Sequence, residues 1–171
     1  MLQTETTASP DWETEQDWSD LAARSAQAAI AASSHADLLS RNFTVEISVK
    51  LSGNEEVQAL NKAYRGKDKP TNVLSFPQVQ PDLLETLSNT DDGEALLGDI
   101  ILALETCRSE AIAKDIPLSR HVSHLVVHGS LHLLGYDHEN DVDAGIMENC
   151  EISALATLGI DNPYADPAQN R

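Results

Sequence analysis

The stretch HGSLHLLGYDH, residues 128–138, determines how the second half of the chain is expected to fold. His128 and His132 are four residues apart, so on a helix both side chains project from one face. Gly135 can adopt the left-handed conformation that ends a helix and reverses the chain. His138 follows three residues later and can return toward the pair. The stretch therefore predicts a helix, a sharp turn and three imidazoles that converge on one point.

Three converging imidazoles indicate a metal site. Neutral histidine side chains suit zinc, and three protein ligands leave a fourth position for water, as in catalytic rather than structural zinc sites. Such an ion lowers the pKa of its water to roughly 7. We therefore expect one Zn²⁺ per chain on His128, His132 and His138, used in a hydrolytic reaction. Histidine ligands also suit nickel and copper, and the spacing does not choose among these ions.

Two further histidines precede this motif on the same face of the expected helix. His124 and His128 are also four residues apart and form a rival pair. We favour His128 with His132 because only this pair brings the glycine turn and His138 within reach. His121 and His124 are interpreted either as groups that contact the ligands or the substrate, or as packing residues.

The spacing of the motif, H-x-x-x-H-x-x-G-x-x-H, equals that of the metzincin zinc proteases. In those proteases a glutamate that acts as general base directly follows the first histidine. This chain has Gly129 at that position. Peptide hydrolysis by the protease mechanism is therefore disfavoured.

The surrounding sequence predicts the elements that hold the motif. Three segments have the apolar pattern of strands: residues 43–51, 73–76 and 96–104. Five segments have helical periodicity or capping signals. Four of them are residues 18–39, 106–114, 117–134 and 141–158. The fifth is a helix that the capping box of Ser52 and Glu55 opens and that ends at Arg65. This order indicates a single α+β domain in which a small mixed β-sheet is covered by helices. The zinc site is expected on a central helix and on the turn after it.

The chain ends are expected to lie outside this domain. Residues 1–13 are polar and acidic and contain Pro10, so they are predicted to be a disordered tail. Residues 14–164 are expected to form the metal-dependent catalytic domain, and residues 165–171 a C-terminal tail. Residues 78–94 are polar, acidic and rich in turn residues, and we interpret them as a variable loop.

Charge is unevenly distributed along the chain. The formal net charge of the 171 residues is −17, which taken alone argues against a nucleic-acid partner. Four of the eleven basic residues nevertheless fall between positions 62 and 69: Lys62, Arg65, Lys67 and Lys69. A local patch of this kind can bind an anion within an acidic protein. A solvated basic loop is the alternative interpretation.

Composition also bears on the compartment. Cys107 and Cys150 match no metal or redox spacing and are expected to be reduced thiols. No apolar run approaches the roughly 20 residues that span a membrane. The first twenty residues lack the basic and apolar regions of a secretory signal. Together these features predict a cytoplasmic protein.

The histidine motif closely resembles the signature of the YbeY family, bacterial metal-dependent endoribonucleases of ribosomal RNA maturation. Four other blocks resemble conserved blocks of that family in the same order: NKAYR at 61–65, PTNVLSFP at 70–77, LGDI at 97–100 and DNPY at 161–164. The resemblance covers roughly residues 43–164. The acidic residues before position 14 and the stretch 78–94 have no clear counterpart.

The resemblance implies a zinc-dependent, single-strand-selective endoribonuclease that acts in 16S rRNA 3′-end maturation and in ribosome quality control. It implies zinc on His128, His132 and His138, and a role for Arg65 in catalysis or RNA binding. It also implies RNA rather than DNA as the substrate and contact with the small ribosomal subunit, and it suggests contact with the GTPase Era.

These implications agree with the residues themselves. An arginine at a helix end can hold a phosphate through two hydrogen bonds and offset the charge that develops on it. A surface cation is the alternative interpretation of Arg65. Attack by a metal-activated water and attack by the RNA 2′-hydroxyl both remain open. A peptidase, and an assembly factor whose metal only stabilises the fold, are the competing functions.

Overall fold

The computed structural model describes residues 1–40, 43–88 and 93–165, and in this part of the chain strands and helices follow one another closely. The elements in chain order are β1 (Leu2–Ala8), α1 (Trp18–Ala32), β2 (Thr44–Ser52), α2 (Asn54–Arg65), β3 (Val73–Pro77), α3 (Pro81–Ser88), β4 (Glu94–Ala103), α4 (Leu104–Lys114), α5 (Leu118–Leu133) and α6 (Asp141–Thr157). A short 3₁₀ helix, Ala36–Leu39, lies between α1 and β2.

The strands form one mixed sheet in the order β1-β2-β4-β3. The strands β1, β2 and β4 are parallel, and β3 runs antiparallel to β4 at the edge. Alternation in β2 puts Val45, Ile47 and Val49 into the core. The register places Val49 beside Ile100 of β4, so the apolar face continues across the strands. The predicted mixed sheet and α+β class are confirmed.

Helices cover this apolar face, with α5 at the centre. Helix α5 contacts α1, α4 and α6 as well as β3 and β4. Its apolar side chains, among them Val122, Val126 and Leu131, belong to the main core. A smaller cluster lies on the opposite face, where Val57 of α2 packs against Leu74 of β3. Because neighbours surround α5, side chains at its C-terminal end are held firmly.

The predicted disorder of residues 1–13 is wrong. Strand β1 pairs in parallel with β2, from Leu2 beside Val45 to Ala8 beside Leu51. Trp12 is only 2% exposed, and its indole N–H donates to the carbonyl of Ser52 at 2.9 Å. The segment LQTETTA alternates in burial and is rich in threonine, a good strand former. Few of its side chains are apolar, so hydrophobic alternation did not indicate a strand.

Other boundaries differ from the sequence-based expectation for local reasons. Helix α1 stops at Ala32 rather than near residue 39, because the hydroxyl and N–H of Ser33 both donate to the carbonyl of Ile30. The expected capping box does not form. Gly53 is the N-cap of α2, and Glu105 of α4 accepts the N–H of Asn54 at 2.8 Å.

Two further predicted segments fall partly outside the described residues. The expected loop 78–94 contains helix α3, and its residues 89–92 are not described. The expected C-terminal tail, residues 165–171, lies outside the described residues apart from Ala165.

The cysteines agree with the expectation of free thiols. Cys107 and Cys150 form no disulfide. Burial raises the pKa of Cys107 to about 12, so this thiol is unreactive at neutral pH. No helix among the described residues has the length and apolar character needed to cross a membrane.

Candidate metal centre

Helix α5 carries the first two histidines of the motif on one face. His128 and His132 lie one turn apart near its C-terminal end, and both are half-buried. Their Nε2 atoms lie 3.1 Å apart. The opposite sides of the helix are buried against the sheet and the neighbouring helices. The pair therefore has little freedom to separate.

The turn after α5 is built around Gly135. This glycine has a φ of +96°, which favours glycine over residues with a Cβ. Its N–H donates to the carbonyl of His132 at 3.0 Å, and the N–H of Tyr136 donates to the carbonyl of Leu131 at 3.1 Å. These two bonds form a Schellman motif. The predicted chain reversal at this glycine is confirmed.

The reversed chain returns His138 to the helix end. The ring centroid of His138 lies 5.7 Å from that of His128 and 5.1 Å from that of His132. One ligand atom from each of the three histidines lies within 4.8 Å of the others. Within residues 1–40, 43–88 and 93–165, no carboxylate or thiol completes this group. The structure thus brings together the three residues that the sequence proposed.

Hydrogen bonds fix which nitrogen of each helical histidine faces the centre. The Nδ1–H of His132 donates to the carbonyl of Tyr136 at 2.9 Å, and that of His128 donates to Glu151 Oε1 at 2.8 Å. Both Nε2 atoms consequently carry lone pairs, and these face each other. A cation bound between them would be stabilised by both lone pairs, so the residues fit a three-histidine metal site.

Protonation does not compete with ligation at His132 near neutral pH. Burial, together with the neighbouring His128, lowers the pKa of His132 to about 4. The imidazole is therefore neutral and able to donate its lone pair.

Glu151 of α6 is the carboxylate that supports the centre. It is 1% exposed and accepts hydrogen bonds from His128 at 2.8 Å, His124 at 3.1 Å and the hydroxyl of Tyr164 at 2.7 Å. Burial opposes its ionisation, but these donors outweigh burial and lower the pKa of Glu151 to about 2. The ionised carboxylate orients the His128 ring and increases its electron density.

The two remaining histidines of α5 do not join the three-histidine cluster. His124 donates to Glu151, so it supports the centre through that carboxylate. His121 bonds Glu110 Oε1 at 2.8 Å, and burial lowers its pKa. The rival pair of His124 and His128 is therefore not formed.

Gly129 packs against the sheet and does not face the cluster. A Cβ at this position would lie 3.1–3.3 Å from three side-chain atoms of Ile100 on β4. A larger residue there would require the Ile100 side chain to shift by a few tenths of an ångström. Position 129 therefore faces β4 and not the histidine cluster, where a protease general base would be needed.

A cleft of about 730 Å³ opens onto the three histidines. One wall is β3, and the other is the turn after α5. Arg65, the last residue of α2, lines the same cleft and is exposed. Lys62, three residues before the helix end, makes a long ion pair with Asp68, at 3.8 Å, on the protein surface. The cleft therefore combines a candidate metal site with an exposed guanidinium that can contact an anion.

Sequence reasoning missed Glu151 and the contact that Tyr164 makes with it. One signal was available for Glu151. Along α6 the buried residues are Met147, Glu151, Ala154 and Leu155, spaced as one helical face. A carboxylate on an otherwise apolar face needs a partner, and the histidines of α5 supply it.

Comparison with known proteins gives consistent matches. The family model described as Endoribonuclease YbeY matches residues 9–159. A protein of Sphingopyxis alaskensis named Endoribonuclease YbeY is 55% identical over 97% of this chain and 99% of its own length. A protein of the same name from Rhizorhabdus wittichii is 54% identical over 96% of this chain and 98% of its own length. Another, from Zymomonas mobilis, is 47% identical over 97% of this chain and 94% of its own length.

A solved structure agrees with the fold. The solution structure of a Thermotoga maritima protein matches 97% of this chain and 100% of its own, with a TM-score of 0.52 and 19% identity. At this identity the likeness supports the architecture alone.

Proposed function

The chain belongs to the YbeY family of endoribonucleases, and on that premise we propose that it is a zinc-dependent enzyme that cleaves single-stranded RNA. Membership of the family makes it a hydrolase that acts on RNA phosphodiester bonds. The zinc ion, the selectivity for single strands and the residues in named roles are our proposal. Its main support is the convergence of three histidine ligand atoms, within 4.8 Å of one another, at a cleft that Arg65 also lines.

We assign His128, His132 and His138 as the ligands of one ion. When bound there, zinc supplies Lewis-acid polarisation of the reacting phosphate. Glu151 holds the His128 ring so that its Nε2 points into the cluster. The carbonyl of Tyr136 does the same for His132.

We assign to Arg65 the role of binding the scissile phosphate. Its guanidinium can donate two parallel hydrogen bonds to non-bridging oxygens and offset the charge that builds up as the bond breaks. Removing one such group typically costs about 3 kcal/mol of transition-state stabilisation. Lys67 and Lys69, both on the loop after α2, can continue the contact along the RNA backbone.

The proposed cellular role rests on the family resemblance. We infer that the substrate is the 16S rRNA precursor, that the enzyme matures its 3′ end and acts in ribosome quality control, and that it works in the cytoplasm. We further infer contact with the small ribosomal subunit and with the GTPase Era. Mapping 16S rRNA 3′ ends in cells lacking the protein tests the first inference. Co-sedimentation with small subunits, and pull-down with purified Era, test the contacts.

A variant series tests the site assignment. We expect Arg65→Glu to abolish cleavage of an unstructured RNA while metal content and thermal unfolding stay as in the wild type. His128→Ala should lose both metal and cleavage. Arg108→Glu, an exposed arginine on α4 that does not line the cleft, is the matched charge control and should cleave normally.

The same series separates the competing functions. Undiminished cleavage by Arg65→Glu would remove Arg65 from the site. Hydrolysis of casein without hydrolysis of RNA would replace the nuclease with a peptidase. Metal analysis of the purified protein identifies the ion, and an absence of zinc in protein that still cleaves RNA would refute the zinc assignment.

A further inference from the structure

Tyr64 is unusually exposed for a large aromatic side chain. It exposes 71% of its surface, whereas Trp12, Trp18 and Phe43 each expose 7% or less. Tyr64 directly precedes Arg65, and both line the cleft that contains the three-histidine cluster. Its position suggests a contact with the substrate rather than with the core.

We propose that Tyr64, supported by Phe76, forms a stacking subsite for one unpaired nucleobase beside the phosphate that is cleaved. This inference rests on the proposed function and adds the origin of single-strand selectivity. Every nucleobase has a π face, so stacking on an aromatic side chain needs no particular sequence. In a duplex both faces of a base are already stacked, so only an unpaired nucleotide can swing onto the ring.

The two rings are arranged as a platform. The centroids of Tyr64 and Phe76 lie 5.3 Å apart with an interplanar angle of 63°, an edge-to-face contact. Phe76 lies on β3, which is fixed in the sheet through its pairing with β4. The contact supports one side of the tyrosine ring, and the exposure of Tyr64 leaves surface available to a base.

The backbone that carries Tyr64 is also fixed. Gly66 ends α2 with a φ of +69°, and its N–H donates to the carbonyl of Lys62 at 3.1 Å. The side chain of Asn61 donates to the carbonyl of Lys69 at 2.9 Å and ties the following loop to the helix. A preorganised ring loses less entropy when a base stacks on it.

The aromatic pair lies where two clefts meet. Tyr64 and Phe76 line both the metal cleft and a second cleft of about 430 Å³ on the other side. Ser48 and Gln78 line the second cleft and offer hydroxyl and amide groups, whereas the ammonium of Lys50 there is already paired with Glu56 at 2.7 Å. An RNA strand that crosses the pair would therefore place one base on Tyr64 and its next nucleotide against polar side chains.

The test uses one single-stranded RNA whose cleavage site has been mapped with the wild-type enzyme. Two derivatives carry an abasic nucleotide immediately 5′ or immediately 3′ of the cleaved bond. We expect Tyr64→Ala to raise KM on the intact RNA about tenfold, with metal content and folding unchanged, and Tyr64→Phe to stay within about twofold. On one of the abasic derivatives, wild type and Tyr64→Ala should have the same KM, because the stacking partner is already gone.

The control variant is Ile112→Ala, which removes an equally exposed apolar side chain from α4, and it should leave KM unchanged. If Tyr64→Ala matches wild type on intact RNA, or loses the same factor on both abasic derivatives, the stacking subsite does not exist. A wild-type enzyme that cleaves no RNA would refute the proposed function instead. In that case the subsite is tested by binding alone, with the fluorescent base 2-aminopurine placed at each of the same two positions. Stacking on Tyr64 should quench its fluorescence in the wild type, and this quenching should be lost in Tyr64→Ala.

Discussion

Glu151 shows how one side chain outside the ligand set can control the metal centre. Its carboxylate is buried and bonds both His128 and His124, so a single residue of α6 joins two turns of α5. Tyr164 donates to the second oxygen, Oε2, and completes the network. The position and electron density of one proposed ligand ring therefore depend on a residue outside the three-histidine cluster.

This dependence can be measured with Glu151→Gln, which keeps the shape of the side chain and removes its charge. We expect zinc affinity to fall about 10- to 100-fold, as is typical when such a supporting carboxylate is lost. Competition with a chromophoric chelator gives the affinity. Glu15→Gln, an exposed carboxylate in the segment before α1, is the control and should bind zinc as the wild type does. Equal affinities for the two variants would show that Glu151 does not support the centre.

At the scale of elements, two glycine turns have similar geometry but different neighbours. Gly135 ends α5 with a φ of +96°, and Gly159 follows α6 with a φ of +75°. Only the first turn leads into a proposed ligand, His138. Substitutions at the two glycines can therefore separate the destabilisation caused by a strained turn from the loss of metal affinity caused by a displaced His138.

We expect Gly135→Ala and Gly159→Ala each to lower the free energy of unfolding by about 1–2 kcal/mol, because a Cβ is disfavoured at positive φ. Only Gly135→Ala should also weaken zinc binding, because it shifts the turn that returns His138. Urea unfolding of metal-free protein and chelator competition measure the two effects. Loss of zinc affinity in both variants would mean that the site responds to general destabilisation.

Much of the helix and strand pattern could be predicted because local rules govern it. Helix α5, its end at Gly135 and the strand β2 follow from spacing, glycine conformation and alternation, and the structure agrees. The cap of α2 could not be predicted, because its partner Glu105 is distant in sequence. Strand β1 was missed because it is stabilised by pairing with β2 rather than by apolar side chains of its own.

The candidate site divides in the same way. The spacing of three histidines around one glycine is a local signal, and from it the convergence of these three side chains could be predicted. The role of Glu151 could not be predicted, because it depends on the packing of α6 beside α5, which no local sequence signal specifies. The aromatic platform of Tyr64 and Phe76 likewise depends on β3 lying beside the end of α2.

At the scale of the whole molecule, the N-terminal segment is part of the core. Trp12 packs edge-to-face on Trp18 with 5.0 Å between ring centroids, and its indole is bonded to the end of β2. This contact joins the segment after β1 to both the first helix and the sheet. Stability should therefore depend on residues that the sequence assigned to a tail.

We expect Trp12→Ala to lower the free energy of unfolding by about 3–5 kcal/mol, the usual cost of removing a buried aromatic side chain. The neighbouring Asp11→Ala, at an exposed position, should change it by less than about 0.5 kcal/mol. Urea denaturation followed by circular dichroism measures both. If Trp12→Ala were as stable as Asp11→Ala, residues 1–13 would not contribute to the stability of the core.

The stability of the metal-free protein should depend on pH through His121. Burial lowers its pKa below the ordinary 6.5, although the bond to Glu110 opposes this. Below pH 6.5 the unfolded chain therefore binds the proton more readily than the folded protein does. Stability is retained above about pH 6.5 and should fall as the pH is lowered from there.

Urea unfolding with a chelator present, repeated from neutral pH down to about pH 5, measures this slope. His121→Gln removes one titrating ring and should reduce the slope over that range, while His132, whose pKa is lowered to about 4, keeps contributing to it. A variant with the same slope as the wild type would show that other groups cause it.

The three proposed ligands differ in exposure. Two stand on a helix enclosed by the core, whereas His138 is exposed on a turn. Opening of that turn would remove one ligand and leave the other two in place. We therefore expect a bound ion to exchange through a local movement at the surface rather than through global unfolding. The folded chain should then be able to take up its ion after folding and to lose it to a chelator without denaturing.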